Sequence, residues 1–352
     1  MTFWTDLPAD VLGILRRGTV LPAHPLALDQ RRQFDRVSQR ALTRYYIDAG
    51  AGGLAVGVHA TQFAIREAGL YRAVLELAAE AAGSWSRRSL LMIAGVIGRT
   101  PQALAEARLA RALGYHAVLL GLSQLRGASE DDLIEHCRAI AREVPVIGFY
   151  LQTAVGGLAL SRTFWTRFAG LDNVIAIKVA PFDRYKTLDV AFGVVAAGAE
   201  ARITLYTGND DHIVADLVTP MRIRSDTREV MLRFKGGLLG HWSVWTKPAV
   251  QLLARAHAAA GAGGVPDDLL ALDAMVTDCN SVIFDVANGF AGCIAGCHEV
   301  LRRQGLLESA HCLDPNEGLS PGQAAGLDRI TAAYPELNDN AFVRANLERW
   351  RS

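Results

Sequence analysis

Lysine is scarce in this chain of 352 residues: of its 36 basic residues, only Lys178, Lys186, Lys235 and Lys247 are not arginine. Arginine is this sequence's habit wherever a positive charge suffices, so each lysine asks for a reason. Net charge is absent too, since 36 acidic residues balance the basic ones. A chain so balanced lacks the electrostatic footprint of a partner for nucleic acid or an anionic membrane. No apolar run reaches the 18 residues that a membrane span needs. The five cysteines (Cys137, Cys279, Cys293, Cys297 and Cys312) are an odd set without the spacing of a disulfide framework. Met1 to Asp10 lack the charged start and apolar stretch of a signal peptide. The expectation is a cytoplasmic protein with reduced thiols, whose partners are small molecules and further copies of itself.

What is present is 51% hydrophobic residues and 33 glycines, enough to bury a large core. After a short amphipathic lead-in, Leu7 to Arg17, strand-like and helix-like patterns alternate. The expected strands are 18–22, 54–58, 89–96, 117–121, 144–150, 174–179, 202–206 and 238–242. Between them fall helical patterns over 29–49, 71–82, 100–113, 162–169 and 184–197, with one opening at Ser129 and another over 246–260 after the last strand. Thr100-Pro101 and Ser129-Glu130-Asp131-Asp132 are helix starts by capping and first-turn chemistry. Eight strand–helix alternations are the signature of a (β/α)8 TIM barrel. A doubly wound sheet is the competing fold, but no Gly-x-Gly-x-x-Gly turn follows the first strand. The stretch 216–235 interrupts the alternation as an extra helix or loop. The barrel with its lead-in is expected over residues 1–262, and an all-helical extension, on the barrel's side or at a subunit contact, over 263–352. Cys293-x3-Cys297-His298 fits cysteines packing helix on helix better than a metal site.

One of the four lysines sits in the middle of the most strand-like run, Val174-Ile175-Ala176-Ile177-Lys178-Val179-Ala180-Pro181. β-Branched and small apolar residues at every position describe a strand buried on both faces, where an unpaired ammonium is costly. Deprotonated in a low-dielectric pocket, lysine can attack a carbonyl and form a Schiff base, which arginine cannot do. A lysine paired with a carboxylate, or one snorkelling out at the strand end, is the other reading. In a barrel the C-terminal strand ends form the site. Lys178 lies near such an end, and Tyr150, 28 residues earlier, ends the neighbouring strand.

Tyr150, the gap to Lys178, Thr207-Gly208-Asn209-Asp210-Asp211 after strand seven and the glycine ending strand two (Leu54-Ala55-Val56-Gly57) resemble the dihydrodipicolinate synthase/N-acetylneuraminate lyase family. The resemblance covers roughly residues 18–262 and a helical extension. It implies a class I aldolase-type lyase that holds pyruvate or a related 2-oxo acid as an imine and joins it to, or cleaves it from, an aldehyde. On that resemblance Lys178 forms the imine, with no other cofactor, and Tyr150 relays protons. Gly57, Val58, Thr61, Gly208 and Asn209 line the substrate, the amides of Val58 and His59 holding its carboxylate. A homodimer or homotetramer is also implied. The departures are specific. Where the family has Gly-Thr-Thr-Gly-Glu, this chain has Gly57-Val58-His59-Ala60-Thr61, leaving His59 or Thr61 to replace the lost hydroxyls. Val155 stands where synthases of the family carry an arginine, and the loop 121–126 has no tyrosine. An authentic dihydrodipicolinate synthase is therefore not expected.

Two competing functions follow from the same residues. His24 and His59 follow strands one and two, His212 follows strand seven and His241 sits at strand eight, four strands that adjoin in a closed barrel. With Asp210 or Asp211 they would make a divalent-metal site for a metal-dependent lyase or hydrolase, although none has paired metal-ligand spacing. A binding protein that keeps the pocket and has lost turnover is the other.

Overall fold

The computed structural model describes residues 1–224, 228–239 and 241–352, with His241 described by its backbone alone. The helix α1 (Ala9–Arg17) precedes strand β1 (Val20–Pro22), and α2 (Arg36–Ala49) leads to β2 (Gly53–Val56). Then α3 (Tyr71–Trp85), β3 (Leu91–Val96), α4 (Thr100–Ala112), β4 (Ala117–Leu120), α5 (Glu130–Ala141) and β5 (Val146–Leu151) alternate. They continue as α6 (Arg162–Ala169), β6 (Val174–Ala180), α7 (Arg184–Ala196), β7 (Thr204–Thr207) and α8 (Ile213–Val218). A short antiparallel pair, β8 (Met221–Arg224) and β9 (Glu229–Leu232), comes before β10 (Phe234–Leu239) and α9 (Thr246–Ala262). Four further helices complete the chain: α10 (Asp267–Ile283), α11 (Cys293–Arg303), α12 (Gln323–Ala333) and α13 (Asn340–Arg351).

Eight parallel strands run in the order β1-β10-β7-β6-β5-β4-β3-β2. The ring closes where Ala23 bridges Ala55 in parallel and the His24 amide donates to the Ala55 carbonyl at 2.8 Å. This is a (β/α)8 barrel with C-terminal helices. Alternation along each strand divides its residues between two cores. Leu21, Leu91, Ile93, Leu119, Ile147, Ala176 and Leu238 fill the interior, and α1 plugs its lower end with Val11 and Leu15, helped by Leu7 just before the helix. Residues of the opposite parity, such as Val118, Ile177 and Val179, pack outward under the helices.

Helix ends follow local chemistry. The Asp35 carboxylate accepts from the amides of Val37 and Ser38 to start α2, and Gly50 in the left-handed region (φ 103°) ends it. Ser129 and Asp132 form the capping box of α5. Three stretches differ from the sequence expectation, the first being 29–35, where a turn closed by the antiparallel Leu28–Phe34 bridge replaces helix until Asp35 caps α2. The last barrel strand begins at Phe234 instead of 238, because Gly236 and Gly237 carry no strand signal. A Cβ at Gly236 would lie 2.3 Å from the Thr19 carbonyl oxygen, and one at Gly237 2.6 Å from the Trp242 ring, so close packing dictates both. The stretch 216–235 holds a β-hairpin as well as α8, with Ile223 turned onto Ala191 and Val195 of α7 while its neighbouring arginines face solvent. Among the described residues no helix is long and apolar enough to cross a membrane.

Of the C-terminal helices, α10 and α11 lie across the mouth of the barrel, while α13 packs on α2 at its side, as expected, with Trp350 Nε1 donating to Asp48 at 2.7 Å. Asn280 Nδ2 donates to the Asp210 carbonyl at 2.6 Å, Thr277 Oγ1 to the Asp211 carbonyl at 3.1 Å, and the Leu313 amide to Gln62 Oε1 at 2.6 Å. The turn between α10 and α11, with the start of α11, roofs the opening.

Candidate active site

Lys178 projects into a pocket at the C-terminal ends of the strands, bounded below by Ala23, Val58, His59, Ala60, Phe149 and Gly208. The pocket encloses about 670 Å³ between atoms, its opening to solvent included. Parity explains the direction: Ala176 and Ala180 belong to the interior set, and Lys178 lies between them on the same face. Its Nζ stands 4.2 Å from the centroid of the Phe149 ring, a cation–π arrangement available to the charged form. Burial pulls its pKa below the ordinary lysine value, and the charge of Asp210 opposes that pull.

Gly208 makes room for this side chain. A Cβ there would lie 2.8 Å from Lys178 Cε and 2.7 Å from Ala180 Cβ. The glycine is thus required by the approach of the lysine stem. Asp210, two residues on, presents its carboxyl to the pocket. Its Oδ1 is buried and has no hydrogen-bond partner among the described residues. Burial raises its pKa, with Lys178 pulling the other way, so both members of the pair are pushed toward their neutral forms.

Tyr150 does not enter the pocket. The pairing of β5 with β6 sets Phe149 opposite Lys178 and Tyr150 opposite Val179, so the tyrosine points outward. Its ring packs on Trp165 at 5.1 Å and its hydroxyl donates to the Leu160 carbonyl at 3.1 Å. The proton-relay assignment fails on register. Asn209 is also turned away: its Oδ1 accepts from the Phe182 amide at 3.1 Å and its Nδ2 donates to Asp216 at 3.0 Å. It shapes the loop after β6 without reaching the pocket. Gly57 takes φ 77° at the end of β2, with Tyr71 3.0 Å from where a Cβ would be; its role is to turn the chain.

Thr61 is fully buried and accepts from the amides of Gly57 (2.9 Å) and Val58 (3.2 Å) while donating to the His24 carbonyl at 2.6 Å. It therefore occupies the Val58 amide expected for a carboxylate. The next two amides, of His59 and Ala60, open the short 3₁₀ turn His59–Thr61. Neither has a hydrogen bond among the described residues. His59 itself lines the pocket, its pKa pushed down to about 4 by burial and then by Lys178. It is a neutral imidazole across the neutral pH range.

The other histidines do not gather. His24 is fully buried against α2, its ring bonded to Thr43 Oγ1 at 2.9 Å and to the Pro25 carbonyl at 3.0 Å. His212 pairs with Asp273 of α10 at 3.4 Å, and the His241 side chain lies outside the described residues. Among the described residues no three of His, Cys, Asp and Glu come together as metal ligands. Asp210 is the residue that sequence reasoning missed in its own right; it entered only as a partner for a metal. An acid so close after Gly208 was the available signal.

The roof comes from elsewhere in the chain. Phe182, after β6, meets Phe290, between α10 and α11, ring edge to ring face with centroids 6.0 Å apart. Both have left-handed backbone, φ 53° and 70°, which costs a bulky residue about 1–3 kcal/mol each. The Asn209 bond holds the first, and the bond from the Phe290 amide to the Asp285 carbonyl at 3.0 Å holds the second. Phe284, Cys293, Ile294 and Cys297 complete the roof, the two cysteines lying one turn apart on α11 and lining the pocket.

Residues 17–219 match the dihydrodipicolinate synthetase family. A 4-hydroxy-tetrahydrodipicolinate synthase of Lachnoclostridium phytofermentans is 29% identical over 133 residues, 37% of this chain and 44% of that one. A probable 5-dehydro-4-deoxyglucarate dehydratase of Acinetobacter baumannii is 29% identical over 132 residues, 38% of this chain and 42% of that one. The chain spans less than half the length of each of these relatives. Among solved structures, a prophage protein of the dihydrodipicolinic acid synthase family from E. coli, in complex with pyruvate, superposes with TM-score 0.73 at 19% identity, covering 91% of this chain and 98% of that one. N-acetylneuraminate lyase from Fusobacterium nucleatum superposes with TM-score 0.71 at 17% identity, covering 90% and 99%.

Proposed function

Because this chain belongs to the dihydrodipicolinate synthetase family, we propose that it is a lyase of the class I aldolase type, acting on pyruvate or a related 2-oxo acid through an imine on Lys178. The observation that carries this reading is the lysine itself: buried in the barrel mouth, biased toward its neutral form, with Gly208 giving its stem room. A lysine held only for an ion pair would stand within 4.0 Å of a carboxylate, and among the described residues Lys178 makes no such pair.

The proposed chemistry runs as follows. Neutral Lys178 Nζ adds to C2 of the 2-oxo acid, whose carboxylate rests on the free amides of His59 and Ala60. Asp210, as its neutral acid, gives a proton to the carbinolamine hydroxyl, which leaves as water. This yields the iminium and the Asp210 carboxylate, and the iminium draws electrons from C3. The C3 proton passes to the Asp210 carboxylate, which takes the part the tyrosine has in the resemblance. The enamine carbon then forms a bond to an aldehyde carbon, and the aldehyde oxygen receives the proton back from Asp210. Water releases the product and restores the amine. Read backwards, the same steps cleave a carbon–carbon bond. Neutral His59 supplies hydrogen bonding beside the carboxylate. With Val155 lining the pocket where synthases of the family carry arginine, dihydrodipicolinate synthesis is not the assigned reaction.

Borohydride added with pyruvate should leave the mass of the reduced adduct on the native protein and none on Lys178→Ala. Absence of an adduct with every 2-oxo acid tried would remove the reading.

A further inference from the structure

The half of the pocket above Lys178 is a different surface from the half below. Leu151, Val155, Phe182, Phe284, Phe290 and Ile294 supply side chains that neither donate nor accept hydrogen bonds. Among the described residues Lys178 is the sole cation lining the pocket, and in the imine its nitrogen is already bonded to the first substrate. His59 stays neutral, and the remaining charged group, Asp210, is an acid. A carboxylate on the second substrate would thus be desolvated with no cation to pair with, and for the several hydroxyls of a sugar this half of the pocket offers little beyond the Gln152 amide to replace lost water.

Phe182 and Phe290 are the more telling pair. They arrive from segments more than a hundred residues apart, each in a backbone conformation unfavourable for its type and each held there by a bond from its own amide. Such arrangements persist where the surroundings over-determine them, and they collect at ligand sites. Edge against face at 6.0 Å, the two rings form a corner of the shape that a third flat ring can join.

We infer that this roof is the acceptor subsite of the lyase and takes an uncharged, apolar aldehyde, an aryl aldehyde best. The inference rests on the imine reading above. In the condensing direction the aldehyde carbon faces C3 of the enamine and its ring lies against Phe182 and Phe290. The new carbon–carbon bond uses the enamine electron pair, the carbonyl π pair moves to oxygen, and that oxygen takes its proton from Asp210.

The test pairs pyruvate with benzaldehyde, glyceraldehyde and aspartate semialdehyde, and measures condensation and borohydride trapping side by side. The expected result is kcat/KM for benzaldehyde at least tenfold above either of the others. Phe290→Ala should lower it about tenfold with pyruvate trapping unchanged, while Phe290→Leu, which keeps apolar volume, retains most of it. Trapping without turnover of any aldehyde, a preference for the polar ones, or a Phe290→Ala ratio equal to native would overturn the subsite and leave the imine standing. No trapping at all would take both down.

Discussion

At the scale of single residues the pocket rests on two groups that burial drives the same way. Lys178 is pulled toward the free amine and Asp210 toward the carboxylic acid, and each carries the other's opposing charge. Asp210→Asn removes the one influence that raises the lysine pKa, so desolvation is left unopposed. Imine formation with pyruvate, followed by trapping across pH, should then rise at lower pH than in the native protein. Condensation itself should fall about 100-fold for want of the proton carrier. An unmoved trapping profile would separate Asp210 from Lys178. Lys178 was legible in the sequence because the cost of its charge is local to the strand it interrupts. Tyr150 was misplaced for an equally local reason. In the run Val146 to Leu151 nearly every residue is apolar, so nothing in it distinguishes the inward from the outward face, and a one-residue offset exchanges Phe149 with Tyr150. Asn209 and Thr61 were drawn in as site residues by their place in a motif. Only their hydrogen bonds, to Phe182 and to the Gly57 and Val58 amides, reveal that they hold the site's backbone.

At the scale of elements, the strand ends beside His59 are tied by one buried ion pair. Arg66 Nη2 meets Glu106 at 2.9 Å, and the same guanidinium donates to the carbonyls of Gly95 (2.9 Å) and Gly57 (3.3 Å) at the ends of β3 and β2. Removing one partner strands a buried charge, so Glu106→Ala should cost about 3–5 kcal/mol, read from urea unfolding. It should also slow imine formation, because the turn bearing the His59 and Ala60 amides hangs from the same bonds. Alternation of strands and helices was readable because each buried parallel strand is a run of apolar residues between capping signals. The last strand and the hairpin before it were not: two glycines required by tertiary packing hide the start of β10, and the alternation of β8 spans only four residues.

At the scale of the whole molecule, two fully buried histidines set the acid limit. Burial holds the pKa of His24 and that of His298 down to about 4. The unfolded chain binds these protons near pH 6.5 and the folded chain does not, so stability is full above that pH and falls as pH drops from 6.5 toward 4. Each contributes roughly 3 kcal/mol to that loss. Urea midpoints measured at pH 7, 5.5 and 4 should decline in that order, and a flat series would contradict the burial of the two rings. The position of α10 and α11 across the mouth was not readable, since apolar helix faces name no partner. That position has a consequence for how the protein came to differ from its relatives. In the proposed reaction the imine-forming lysine and its glycine lie within residues 17–219, which match the family, as do Leu151, Val155 and Phe182 of the roof, whereas Phe284, Phe290 and Ile294 lie beyond them. On that reading the bond-making residues and a large part of the surface facing the second reactant occupy separate stretches of one gene. Selection could rewrite the latter while leaving the former untouched, and a laboratory exchange of residues 284–297 would be the shortest route to a new partner aldehyde.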